Sequence, residues 1–180
     1  GKTRDDAAGE AYDKVARAME LTYPGGPKID RLAGNGDKNA VIFPRAVVDG
    51  YDFSFSGLKS AVLNHINSVK MKGGTINKED IAASFQASVV DVLVTKTINY
   101  AKENDIKKVA LAGGVAANLG LRNGMRESCD KHNIELFYPE IVLCTDNAAM
   151  IGSAAYYRYI NGITHGMNLN AVANLPLGKG

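Results

Sequence analysis

Apolar residues recur at helical spacing near the start of the chain, where Ala7, Ala11, Val15 and Met19 fall on one face. Thr3 is placed to cap this helix, with Asp5 and Asp6 in its first turn. Small residues at Ala7, Ala8, Gly9 and Ala11 let another element approach closely, while Asp6, Glu10, Asp13 and Arg17 line a polar side at steps of three and four. The stretch Tyr-Pro-Gly-Gly-Pro from Tyr23 to Pro27 then stops the helix and bends the chain. Two short β-prone segments, 40–43 and 52–55, flank an Asp49-Gly50 turn signal and predict a hairpin. A helix from Gly57 to about Lys70 follows, with Ser56 as its cap, Leu58, Val62, Ile66 and Val69 on one face, and Gly73-Gly74 behind it. Asn77 caps a longer one reaching about Glu103, with Ile81, Phe85, Val89 and Val92 facing a core.

From Lys107 the pattern changes to strand, turn and helix. The apolar run Val109 to Ala112 breaks at Gly113-Gly114, and a helix runs from about Leu119 to His132. A second strand is predicted from Glu135 to Tyr138, then an apolar run from Ile141 to Cys144, then a helix marked by Ala148, Ile151, Ala155 and Tyr159. After Gly166 the chain reads as irregular, with frayed last residues. Alternation of strand and helix indicates an α/β fold with a mixed sheet flanked by helices.

Two corners of this pattern can carry chemistry. Glycines at 113 and 114 remove side chains where the backbone bends, and the helix behind them points its first amide groups back at the turn. Such a corner holds a nucleotide or simply packs helix against strand. Asp146 stands where the apolar run feeds the last helix, which suits a metal or ribose ligand and equally suits a helix cap.

Composition narrows the picture. With 180 residues, 46% of them apolar, the chain can bury a single real core. Its 21 basic and 19 acidic residues are well mixed, so it lacks the electrostatic footprint of a free-standing nucleic-acid binder. Cys129 and Cys144 have no Cys-x-x-Cys or Cys/His neighbours and read as reduced thiols. None of His65, His132 and His165 belongs to a metal-binding pair. No apolar run approaches the roughly 20 residues of a membrane span, and a cytoplasmic protein is expected.

Five separated motifs occur in a fixed order: Asp-Asp-Ala-Ala-Gly-Glu-Ala-Tyr-Asp-Lys at 5–14, Tyr-Pro-Gly-Gly-Pro at 23–27, Phe-Ser-Phe-Ser-Gly-Leu-Lys at 53–59, Ala-Gly-Gly-Val-Ala-Ala-Asn at 112–118 and Cys-Thr-Asp-Asn-Ala-Ala-Met-Ile-Gly at 144–152. From Thr3 to about Leu177 this order resembles the second half of the TsaD-type tRNA adenosine threonylcarbamoyltransferases, formerly described as O-sialoglycoprotein endopeptidases. The resemblance implies one lobe of the actin-like, sugar-kinase-like ATPase (ribonuclease H-like) fold. It makes residues 1–180 the C-terminal lobe, with a helical insertion at about 57–106 and the N-terminal lobe absent.

The implied reaction transfers threonylcarbamoyl from threonylcarbamoyl-adenylate to the exocyclic amine of the adenosine beside the anticodon, in tRNAs that read codons starting with A. Carried over by residue, Asp13, Gly26, Asp30 and Asn118 would hold an adenylate or ATP-like nucleotide, with Gly113 and Gly114 as the supporting turn. Asp146 would be one ligand of a single divalent metal, expected to be iron, and the paired histidines and the phosphate loop of the family belong to the missing half. The isolated lobe is then expected to be inactive, and no catalytic residue is assigned. Tyr12 stands where the family usually carries Phe and keeps an aromatic body. Implied partners are tRNA, a related paralogue and an ATPase. Two other classes stay open: the older metalloendopeptidase description, for which the chain has no His-Glu-x-x-His, and a docking lobe within a multiprotein complex.

Overall fold

The computed structural model describes residues 1–173. They fall into two compact units, the first Gly1–Thr145 and the second beginning at Asp146. In the first unit, helices α1 (Ala8–Ala18), α2 (Gly25–Ala33), α3 (Ser56–Met71) and α4 (Lys78–Glu103) precede strand β1 (Lys108–Ala110), helix α5 (Leu119–Lys131) and strand β2 (Glu135–Phe137). The second unit contains α6 (Ala148–Ile160).

Helix α4 is the spine. Its N-terminal half contributes Phe85 and Val89 to a cluster with Val15, Met19, Ile29 and Val62 from the three helices before it. Its C-terminal half contributes Val94 and Ile98 to a second cluster with Leu121, Met125 and Cys129 of α5 and Ile134 ahead of β2. Asn77 caps α4 by accepting from the amides of Glu79 and Asp80, as the sequence indicates. By length and composition α4 is the one described helix that could cross a membrane, but 61% of its most apolar stretch is buried within the protein.

The α/β class holds, with a smaller sheet than expected. Among the described residues two strands pair, in parallel, with Val109 opposite Leu136, so the sheet is not mixed. The predicted hairpin is absent. Phe53 instead forms an isolated parallel bridge with Thr3, and the strap before it is held by Lys96, whose ammonium donates to the carbonyls of Val48, Gly50 and Asp52 at 2.9, 3.0 and 2.6 Å. The backbone groups of Phe53 that a hairpin partner would have used pair instead with the Lys2 carbonyl and the Arg4 amide, both at 2.9 Å. The apolar run 141–144 is likewise a 3-10 turn, Ile141–Leu143, and not a strand.

Three helix starts, those of α1, α2 and α3, differ from expectation because the residues near them pair across the chain. Helix α1 begins at Ala8, after Thr3, Asp5 and Asp6 have been drawn into other contacts. Asp6 binds the ammonium groups of Lys14 and Lys59 at 2.7 and 2.8 Å. Asp5, not Ser56, caps α3, accepting from the amides of Phe55 and Ser56 and from the hydroxyls of Ser54 and Ser56. Desolvation opposes ionisation of Asp5, but these four donors outweigh it and hold the carboxyl well below the usual range.

Helix α2 follows the bend at once, where sequence pattern indicates only a turn. Its first amide, on Gly25, donates to the Asp13 carboxylate at 2.8 Å, so a residue of α1 supplies the missing cap. Pro27 fits the first turn because that position has no intrahelical acceptor to lose. Gly25 is required by contact: a Cβ there would lie 2.4 Å from Ala16 Cβ and 3.0 Å from Asp13 Cα. Gly25→Ala should therefore lower the unfolding free energy in urea by about 1 to 3 kcal/mol, the usual range for overpacking. A midpoint equal to wild type would show that α1 and α2 separate at no cost.

Candidate functional site

A buried polar cluster lies where α1, α2, α4 and α5 meet. Its central member is Gln86 of α4, 8% exposed, which sequence reasoning did not single out. Gln86 Oε1 accepts from Tyr12 Oη at 3.3 Å and from Asn118 Nδ2 at 2.7 Å, while Nε2 donates to Asp30 Oδ1 at 3.0 Å. Burial, aided by the Asp30 charge, pushes the Tyr12 phenol far above its ordinary pKa, so Tyr12 stays a donor.

Asp30 also closes the start of α5. Its Oδ2 accepts from the Leu119 amide at 2.9 Å and its Oδ1 from the Gly120 amide at 3.4 Å. Asn118 is the N-cap of the same helix, its Oδ1 accepting from the Leu121 amide at 2.8 Å. The first-turn amides that the sequence suggested would point at a ligand are therefore occupied by the protein's own side chains. A carboxylate at a helix N-terminus is favoured by the helix dipole, and here that anion is Asp30.

The supporting turn has the expected backbone. Gly113 adopts φ 84° and ψ 171°, a conformation open only to glycine, and a 3-10 turn over Gly114–Ala117 leads into Asn118. The small face of α1 reaches this turn, since a Cβ on Gly9 would lie 3.4 Å from Val115. Beside the cluster, Asp13 uses Oδ1 on Gly25, and nothing lies within 4 Å of where a Gly26 Cβ would be. Four of the predicted residues, Asp13, Gly26, Asp30 and Asn118, thus sit on directly contacting elements of one unit.

Asp146 begins the second unit and is exposed. It is not the cap of α6: Asn147 is, accepting from the Met150 amide at 2.9 Å. Among the described residues no group of three His, Cys, Asp or Glu side chains could hold a metal ion, so this donor set does not by itself fit one. Both cysteines are free and buried.

Arg122 is a second residue that sequence reasoning passed over. Only 8% exposed, it donates to the carbonyls of Ala116 and Pro139 and to Cys144 Sγ, and its guanidinium lies 4.5 Å from the centroid of the Tyr138 ring. It ties the glycine turn to the segment after β2. A lone arginine in an otherwise polar helix turn gives no periodic signal of burial.

Comparison with known proteins bears on the whole of the first unit. A family model described as TsaD, tRNA N6-adenosine threonylcarbamoyltransferase, matches residues 1–153. A protein of that name from Clostridium beijerinckii is 59% identical over 181 aligned positions, covering 99% of this chain and 53% of its own length. One from Clostridioides difficile is 57% identical, over 99% of this chain and 54% of its own. The chain spans about half the length of the curated relatives it matches. Among solved structures, HypF from T. kodakarensis superposes with a TM-score of 0.65 at 25% identity, over 88% of this chain and 20% of that one. Full-length HypF in its phosphate- and nucleotide-bound form gives 0.62 at 21%, over 86% and 20%.

Proposed function

This chain belongs to the TsaD family of tRNA N6-adenosine threonylcarbamoyltransferases, and from that premise we propose that it is the nucleotide-holding C-terminal lobe of such an enzyme. The whole enzyme would transfer threonylcarbamoyl from threonylcarbamoyl-adenylate to the N6 amine of the adenosine beside the anticodon. In that reaction a carbon–nitrogen bond forms at the carbamoyl carbon, the bond to the phosphate oxygen breaks, AMP leaves, and N6 loses a proton. The observation that carries the reading is that Asp30 and Asn118 meet in one buried polar cluster, while Asp13 holds the start of the helix that carries Gly26 and Asp30.

Each residue type suits its part. Asp13 keeps Oδ2 outside any hydrogen bond among the described residues, and a carboxylate oxygen accepts from ribose hydroxyls. The open space beside Gly26 admits the flat face of an adenine. Asn118 Nδ2 spends one hydrogen on Gln86 and retains a second for an acceptor on the ligand. Asp30 acts one step back, holding the start of α5 beneath Asn118. Asp146 would lend one carboxylate to a metal, expected to be iron, whose other ligands come from outside these residues, and no step is assigned to it. We place the enzyme in the cytoplasm, with tRNA as substrate and a related paralogue and an ATPase as partners.

A chimera tests the reading. Residues 1–180 joined to the N-terminal half of the C. beijerinckii relative should form threonylcarbamoyladenosine in tRNA supplied with threonylcarbamoyl-adenylate, while residues 1–180 alone should form none. A folded chimera without transfer, beside an active C. beijerinckii enzyme, would sink the assignment.

A further inference from the structure

Gln86 occupies a position that a core leucine could fill, yet it brings a buried amide hydrogen-bonded at both ends, Oε1 to Tyr12 and Asn118 and Nε2 to Asp30. The direction of that amide is set by its neighbours. The Asp30 carboxylate can only accept, so Nε2 must face it, which turns Oε1 toward the Tyr12 hydroxyl that donates to it. With Oε1 fixed, Asn118 must turn Nδ2 toward Gln86, which leaves its Oδ1 on the Leu121 amide. One side chain on α4, oriented by Asp30 of α2, thereby meets the side chain of Asn118, the cap of α5, in one orientation. Space is kept for it: a Cβ on Gly120 would lie 2.6 Å from Gln86 Nε2 and 3.1 Å from Cδ.

We propose that Gln86 is a positioning residue for nucleotide recognition, acting through Asn118 and Asp30 and making no contact with the ligand. The inference rests on the reading of those two residues as part of the nucleotide site. A buried hydrogen-bond network restricts the arrangement of its members, whereas removing its centre frees Asn118 Nδ2 and leaves the donors of Tyr12 and Asn118 to find other acceptors. Packing alone predicts something different: a methionine at 86 would fill the same volume and leave recognition unchanged.

The test is a titration of residues 1–180 with AMP, followed by the backbone amide resonances of Gly26 and Asn118 in heteronuclear NMR spectra. Wild type should show saturable shifts at millimolar AMP. Gln86→Met should raise Kd at least fivefold, and Asn118→Ala should do likewise. The double variant should bind no more weakly than Asn118→Ala alone, because both changes remove one coupled function. Gly120→Ala, whose Cβ would press on Gln86 Nε2 and Cδ and lie 3.3 Å from Asn118 Oδ1, should reproduce the Gln86→Met loss and serves if Gln86→Met fails to fold. Gln86→Met and Gly120→Ala binding like wild type while Asn118→Ala weakens, or losses that multiply in the double variant, would overturn the positioning role and leave the nucleotide reading standing. Absence of any AMP-dependent shift in the folded wild-type chain would overturn both.

Discussion

Asp30→Ala should lower the unfolding free energy by about 2 to 4 kcal/mol, since several donors lose one acceptor at once. Three donors depend on it: the Leu119 amide, the Gly120 amide and Gln86 Nε2. A hydrogen bond to a charged group contributes roughly 1.5 to 3 kcal/mol, and because Asp30 is partly exposed, water replaces part of what is lost. The α5 dipole also loses its anion, about 0.3 to 1 kcal/mol more. Asp13→Ala offers a control, because Asp13 satisfies one amide only, a capping contact of about 0.5 to 2 kcal/mol. Urea unfolding followed by circular dichroism gives both values. If Asp30→Ala proves no more costly than Asp13→Ala, Asp30 is not the residue that joins α2 to α5.

The same contrast explains which parts of the structure could be read in the sequence. Helix α4 was legible because its apolar spacing and its cap, Asn77, are local to one stretch. Helix α2 was not, because its cap is Asp13, twelve positions earlier, and Gly25-Gly26-Pro27 in isolation has the composition of a loop. Ser56 had the right type and place for a cap, yet Asp5 from fifty residues away accepts the amides instead. The hairpin failed for a related reason: Phe53 pairs with the segment around Thr3, fifty residues earlier, and Lys96 holds the connection before it. Local pattern reports elements whose stabilising partners are local, and contacts across the fold decide the others.

The site divides in the same way. Asp13, Gly26, Asp30 and Asn118 are candidates through resemblance of whole motifs, and three of the four have structural duties that no periodicity announces. Gln86 stands between Phe85 and Ala87 in an apolar helix, where a single amide looks like a solvent-facing residue. Only its burial reveals otherwise. The reading of free amides at the start of α5 reversed outright, since a sequence cannot show that Asp30 lies across them.

That reversal sets the expected affinity of the chain for adenine nucleotides. ATP should bind residues 1–180 with a Kd of about 1 mM or weaker, near −4 kcal/mol, because the site proposed above would contact ribose and base and leave the phosphates little. The first-turn amides of α5, the ready phosphate donors of such a corner, are held by Asp30 and Asn118. No described group of side chains holds a metal that could bridge phosphate oxygens. Each charge-assisted contact missing costs roughly 1.5 to 3 kcal/mol, and every 1.4 kcal/mol is tenfold, so two missing contacts separate micromolar from millimolar binding. Isothermal titration of residues 1–180 with ATP, with and without added iron(II) or magnesium, measures the difference directly. Micromolar binding under either condition would mean that the phosphates find donors within these residues, and that the nucleotide site is complete in this lobe.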